Sequence, residues 1–242
     1  MRRWRLAVAV LLSGDLAVEA DVLRRALGDP ALEVVPPHLT LVPPVNVRAA
    51  ELGAALRVVR AAAGAARPFA VGLGPVASFH PVTPTVHLAV SDAEGDLETL
   101  RAGVFQPPVW RDVDHPFVPH VTLRDGAPLH RVHAATQALG SYRAQLDVVR
   151  VTVLAEGRDA QRRRRWAPVA DADLGGVRDV GRGGLPTELA AGTLADPDAL
   201  RCSRPSPRSS APRSSPPGER ASSSASPGRE ASWRQSRRWP TW

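Results

Sequence analysis

The chain has no lysine, a single cysteine and few aromatic residues, and each shortage narrows what it can be. The one cysteine, Cys202, lies near the C-terminus. No internal disulfide can form, and residues 1–200 contain neither a cysteine-based zinc site nor a catalytic thiol, which suits a reducing cytoplasm. All 31 basic residues are arginine; with no lysine anywhere, this reads as coding bias rather than chemistry. No apolar run is long enough to span a membrane. The chain also lacks G-x-x-x-x-G-K-[ST], G-x-S-x-G and H-E-x-x-H, so ATP hydrolysis, triad esterase chemistry and zinc peptidase chemistry have no motif support.

The net charge of +7 is misleading about the body of the protein. Residues 1–200 balance 22 arginines against 22 acidic residues, and residues 201–242 carry nine arginines against two acidic ones. A basic partner surface is therefore a property of the tail alone. That tail is Ser/Pro/Arg/Ala low complexity with too few apolar residues to fold, and is expected to be disordered. It has the character of a frameshifted or truncated end, coding bias without structural pattern. Residues 175–200 open with a glycine-rich linker, and Leu185–Leu200 reads as a short helix or the opening of a further domain.

What remains is 1–174, long enough and apolar enough for a substantial core. The N-terminal MRRWRLAVAVLLSG resembles a short signal peptide, but its apolar run is minimal and Asp15 follows at once. A buried first strand over Leu6–Leu12 accounts for it better. Val18, Val22 and Ala26 mark a helix over Asp15–Leu27 that stops at Gly28. His38–Val42 reads as a strand. Asn46 is expected to cap a helix with Leu52, Leu56, Val59 and Ala63 on its apolar face. Two alternating strands then meet across Pro81–Pro84, followed by a helix through Leu97, Leu100 and Val104. A strand over His120–Arg124 and a helix from Leu129 to Gly140 come next. One long strand is expected over Leu146–Ala155, with Arg164–Ala170 as its hairpin partner. Hairpin-like neighbours between helices imply α+β, with two similar lobes.

One pattern occurs twice. Pro37-His38-Leu39-Thr40-Leu41 is matched by Pro119-His120-Val121-Thr122-Leu123. On a strand, side chains alternate between faces, so His38 and Thr40 share one face while Leu39 and Leu41 hold the other in the core. His120 and Thr122 do the same. Two such strands together offer two imidazoles and two hydroxyls, which suits phosphodiester cleavage. A neutral imidazole accepts a proton from the nucleophile and a protonated one gives a proton to the leaving oxygen. An unperturbed pKa near ~6.5 allows both roles. The threonine hydroxyls can donate to non-bridging phosphate oxygens. Arg124, on the same face as Thr122, can add a cationic contact to the phosphate. Neither metal nor other cofactor is needed. A single His-x-Thr would ordinarily be a polar strand edge; two, each led by proline and followed by leucine, favour chemistry.

These motifs, H-L-T-L and H-V-T-L, with P-H-V-T-L-R-D around the second, resemble the two-histidine phosphoesterase superfamily. It includes the 2′-5′ RNA ligases and RNA 2′,3′-cyclic phosphodiesterases. The resemblance extends over about residues 5–174. It implies a bilobal α+β fold with the motifs facing across a cleft, and opening of a 2′,3′-cyclic phosphate of RNA or a nucleotide to a 2′-phosphomonoester. It further implies His38 as proton donor and His120 as acceptor activating water. The expectation is a cytoplasmic monomer that uses no membrane and no metal. A non-catalytic RNA-binding protein, or a relative acting on another phosphodiester or a 2′-5′ linkage, are the alternatives.

The other candidates are weaker. His87, on a face with Thr85 and Ala89, either lines the cleft or is a satisfied strand histidine, the latter favoured. His115 shapes a loop. His130 and His133 lie one helical turn apart but lack a carboxylate pair or cysteine, and read as solvated helix. Phe79 and Trp110 can stack a base, though core packing is the better expectation for Phe79. Arg162–Arg165 falls at a hairpin turn and reads as a solvated loop rather than a phosphate contact.

Overall fold

The computed structural model describes residues 3–176 and 179–181. Its first strand, β1 (Arg3–Leu11), explains the apolar run at the N-terminus. It lies between two partners, and both faces are covered. Leu6, Val8 and Val10 join the main core, while Ala7 and Ala9 pack with Leu154, Trp166 and Val35 in a smaller cluster. A strand buried on both sides reads as continuous rather than alternating hydrophobicity.

Helix α1 (Gly14–Leu27) ends where expected, with Gly28 at φ +71° accepting the left-handed turn that closes a helix. Strand β2 (His38–Arg48) is longer than the sequence suggests. It runs through Pro43 and Pro44 because these two residues fall at a break in register between Val42↔Val8 and Val45↔Leu6. At such a bulge their missing N–H groups break no ladder bond. Asn46 therefore does not cap a helix. It is an exposed strand residue opposite Arg5, between buried Val45 and Val47. A 3₁₀ turn at Ala49–Glu51 intervenes before α2 (Leu52–Ala65), whose buried face is Leu52, Ala55, Leu56, Val59 and Ala63.

β3 (Phe69–Ser78) and β4 (Val86–Ser91) form the expected hairpin. α3 (Asp96–Val104), β5 (His120–Arg124) and α4 (Leu129–Ala138) follow. The single long strand expected over Leu146–Ala155 is instead two, β6 (Ala144–Val148) and β7 (Arg150–Arg158). Val149, half-exposed, is the break. β6 pairs with β3, whereas β7 pairs with β1 and β8 (Arg164–Asp173), so the chain crosses from one part of the sheet to another at this residue. Local hydrophobicity does not register that crossing. Gly175, expected to open a linker, turns the chain at φ +61°, and Asp179–Gly181 adds a short edge strand, β9, against β8. The rest of the expected linker and the tail lie outside the described residues.

The sheet is antiparallel throughout, in the order β6-β3-β4-β5-β2-β1-β7-β8-β9. The architecture is the α+β, two-lobed one expected. One lobe is β6-β3-β4-β5, the other β2-β1-β7-β8-β9, and they are joined edge to edge through one residue pair, Leu39↔Val121. The lobes are not the two halves of the chain, since the second takes its strands from residues 3–48 and 150–181. Among the described residues no helix is long and apolar enough to cross a membrane.

Candidate active site

The joining pair of residues lies in the middle of both His-x-Thr motifs. Leu39 and Val121 are fully buried and anchor the two strands back to back with the core. One step either side in the antiparallel register sets His38 opposite Thr122 and Thr40 opposite His120. Opposed residues project from the same face of a sheet, within reach of each other. The motifs thus lie side by side on neighbouring strands, each histidine facing the other motif's threonine.

The two histidines are held in the same way. Nδ1 of His38 donates to the Pro36 carbonyl and Nδ1 of His120 to the Val118 carbonyl, both at 2.8 Å. A carbonyl only accepts, so Nδ1 carries the proton and Nε2 is the nitrogen available for proton transfer in the neutral ring. Pro37 and Pro119 stand between each carbonyl and its histidine. A residue before proline is pushed towards extended backbone, which is how a proline ahead of each motif helps orient its imidazole.

Around this common centre the surroundings differ. His38 is 6% exposed and borders a cavity of about 310 Å³ with Arg24, Asp29, Thr122 and Asp125. Arg24 is itself buried and fully engaged. It contacts Asp29 at 2.8 Å, Asp21 at 2.9 Å, and the carbonyls of Ala31 and Val35 at 2.9 and 3.0 Å. Burial pushes His38 down to about 4; the Pro36 carbonyl opposes this, and Arg24 and His120 reinforce it. His120 borders a second cavity with Thr40, Phe79, Thr122 and Asp125. Burial also lowers its pKa, against the Val118 carbonyl and the Asp125 charge, which favour the proton. Thr122 and Asp125 border both cavities. Asp125 is fixed by the Thr85 hydroxyl at 2.7 Å and the Gly126 N–H at 3.0 Å.

His87 is the third imidazole of the face. β4 places it directly opposite Thr122, extending the row His38–Thr122–His87 across three strands. It is 4% exposed, stacks on Phe79 at 4.0 Å, and meets His120 edge-on at 5.4 Å. Phe79 also meets His120, at 4.9 Å. Burial, aided by His120, lowers His87 to about 4. The sequence favours a strand histidine here and core packing for Phe79; His87 is buried in β4 and lines neither cavity, Phe79 lines that of His120, and both pack against the motif histidine. Sequence reasoning misses Arg24 and Asp125 altogether. Asp125 lies two residues beyond the second motif, a signal that is present. The link from Arg24 to His38 depends on how α1 and the 29–35 loop fold back, which no spacing reveals.

Arg124 is not brought to the cavities. It shares the face of His120 and Thr122, but its guanidinium turns to the end of α1 and donates to the carbonyls of Leu27 and Gly28. Arg131 joins it on Leu27 at 2.8 Å. A Cβ at Gly28 would stand 2.8 Å from Arg124 Nη1, a second reason for glycine there. His115 lines the cavity of His120, whereas Trp110 is exposed. His130 and His133 are exposed on α4, and among the described residues no three His, Cys, Asp or Glu side chains are grouped to hold a metal ion. The Arg162–Arg165 run lies at the β7–β8 turn, where Arg163 pairs with Asp159 and Arg164 with Glu156.

The description of the 2′-5′ RNA ligase superfamily matches residues 12–160. A protein of Oceanobacillus iheyensis carrying the provisional name phosphoesterase is 31% identical over 122 residues, covering 49% of this chain and 69% of that one. One of the same provisional name from Bacillus cereus is 28% identical over 125 residues, 50% of this chain and 70% of the other. Among solved structures, E. coli LigT complexed with 3′-AMP superposes with a TM-score of 0.53 at 21% identity, covering 72% of this chain and 99% of LigT. TT0787 of Thermus thermophilus gives 0.52 at 24%, covering 72% and 100%.

Proposed function

The chain belongs to the 2′-5′ RNA ligase superfamily, and on that premise we propose that it is a phosphoesterase opening a 2′,3′-cyclic phosphate of RNA or a nucleotide. The product is a 2′-phosphomonoester, and the reaction runs by acid–base catalysis between His38 and His120 without a metal. The observation that carries this is the Leu39↔Val121 register, which sets two identically oriented imidazoles and two threonines on one face.

In this mechanism Nε2 of His120 takes a proton from water as its oxygen attacks phosphorus. The bond from phosphorus to O3′ breaks, and Nε2–H of His38 gives its proton to that leaving oxygen. The hydroxyls of Thr40 and Thr122 donate to the non-bridging oxygens, where charge builds up. Asp125 favours the imidazolium that His120 becomes, as the orienting carboxylate does in a triad. Without substrate, burial and Arg24 work against a proton on His38. The bound phosphate's negative charge supplies what is missing, and a proton held on a depressed imidazole is readily given up.

The test is incubation of full-length protein with an oligoribonucleotide ending in a 2′,3′-cyclic phosphate, in EDTA, beside His38→Ala and His120→Ala. Conversion to a 2′-phosphate end that both variants lose is expected. Turnover abolished by the chelator would remove the metal-free mechanism, and salt-dependent binding without turnover would turn the assignment towards RNA binding.

A further inference from the structure

The cavity beside His120 holds two cations that the reaction above does not use. Arg101, on α3, and Arg111, in the segment between α3 and β5, both line it together with Thr40, His120 and Thr122. In each, Nε is buried without an acceptor. Other arginines of the fold meet carboxylates or carbonyls: Arg24 has four such contacts, Arg150 pairs with Asp173 and Arg163 with Asp159. A guanidinium N–H drawn out of water and given no acceptor carries a cost that an anionic ligand can remove.

Arg101 is also held in place. Its guanidinium carbon stands 4.5 Å from the Phe105 ring and 4.7 Å from the Phe117 ring. Contact with two ring faces fixes the plane of the group without using its N–H donors. Burial, the largest influence on it, disfavours its charge, and Glu98 on the same helix offsets this incompletely. Asp125, the acidic residue lining this cavity, is already occupied by Thr85 and Gly126.

Resting on the phosphoesterase assignment, we propose that Arg101 and Arg111 form a second anion subsite, which receives a phosphate of the substrate other than the one being opened. The two threonines and two histidines serve the reacting phosphate; two guanidiniums lining the same cavity, one of them fixed between aromatic rings, suit a neighbouring one. The substrate class is then a cyclic-phosphate nucleotide that carries a further phosphate on its 5′ side. A terminal 5′-phosphate and the internucleotide phosphate of an RNA end are the two sources of that chemistry.

Two measurements test it on the full chain. The first is equilibrium binding of adenosine 3′-monophosphate and of adenosine 3′,5′-bisphosphate, which involves no turnover. The bisphosphate is expected to bind about tenfold or more tightly, and Arg101→Met and Arg111→Gln are each expected to shrink that ratio severalfold. Arg101→Met keeps an apolar stem between the two phenylalanines, Arg111→Gln lies in a connecting segment, and Arg163→Gln at the β7–β8 turn should retain the ratio. Equal affinity for the two ligands, or a ratio that both arginine variants keep while folded by thermal melting, overturns the subsite.

The second measurement compares kcat/KM for a 2′,3′-cyclic mononucleotide, the same with a 5′-phosphate, and a dinucleotide with a cyclic end. A gain shared by the last two, lost in the variants, supports the subsite for either source; a gain in one alone names the source. A bisphosphate preference that depends on the arginines, with no turnover of any cyclic phosphate, leaves the subsite standing and removes the hydrolase assignment.

Discussion

The two His-x-Thr motifs are alike within themselves and unlike in what surrounds them. Each histidine is led by proline and tied through Nδ1 to the carbonyl two residues back at 2.8 Å. Beyond that they diverge. His38 faces a buried arginine that is ion-paired to Asp21 and Asp29. His120 faces an aromatic wall of Phe79 and His87, with a carboxylate, Asp125, acting on it. Local sequence builds two imidazoles held in the same way, and long-range packing makes them inequivalent by the sign of the charge beside each. Arg24 disfavours a proton on His38, whereas Asp125 favours one on His120.

The comparison breaks most visibly if either imidazole is removed. His38→Ala and His120→Ala are each expected to lower kcat by roughly 10³–10⁴-fold, and each should convert a bell-shaped pH–rate profile into one with a single limb. Loss of the same limb from both variants would mean that the rings are not acid and base. Next in size is Arg24→Met. It leaves Asp29 buried without its partner, and should destabilise the protein by about 3–5 kcal/mol in chemical denaturation, while raising the His38 pKa measured by NMR. An unchanged His38 titration would sever Arg24 from the site.

Thr40→Val and Thr122→Val remove donors to the phosphate and should each cost about 10²-fold in kcat. Because Thr122 borders both cavities, its loss is expected to be the larger. Asp125→Asn tests the asymmetry alone: it should lower the His120 pKa, cut kcat by about tenfold, and leave His38 unmoved. The smallest effect concerns stability. The folded pKa values of His38 and His87 lie near 4, below the ordinary ~6.5. The unfolded chain therefore binds protons that the fold refuses. Stability should be flat above about pH 6.5 and fall as pH drops from there towards 4, by roughly 1–3 kcal/mol per histidine. His87→Phe, which keeps a ring on Phe79, should flatten part of that decline in melts of the substrate-free protein.

Much of this is legible in the sequence because it depends on near neighbours. The period of α2, the Gly28 stop, the β3–β4 hairpin and the alternation that puts His and Thr on one face all follow from residues a few positions apart. The errors share a cause. Asn46 reads as a cap because Pro43 and Pro44 look like a strand end, and only the pairing with β1 shows that they occupy a bulge. Leu146–Ala155 reads as one strand because apolar residues continue through it, whereas Val149 hands the chain from one lobe to the other. Arg124 has the right parity for a phosphate contact, but the carbonyls at the end of α1 take its guanidinium.

By itself, then, the sequence determined the α+β class, the duplicated motif, and the chemistry that two imidazoles and two hydroxyls permit, since residue type and a period of two settle these. The tertiary structure decided the rest. It joined the lobes at Leu39↔Val121, seated Arg24 beside His38, placed His87 and Asp125 about His120, and brought Arg101 and Arg111 into the same cavity. Each of these depends on contacts between residues far apart in the chain, and on burial, which turns a neighbouring charge or ring from a weak influence in water into a strong one.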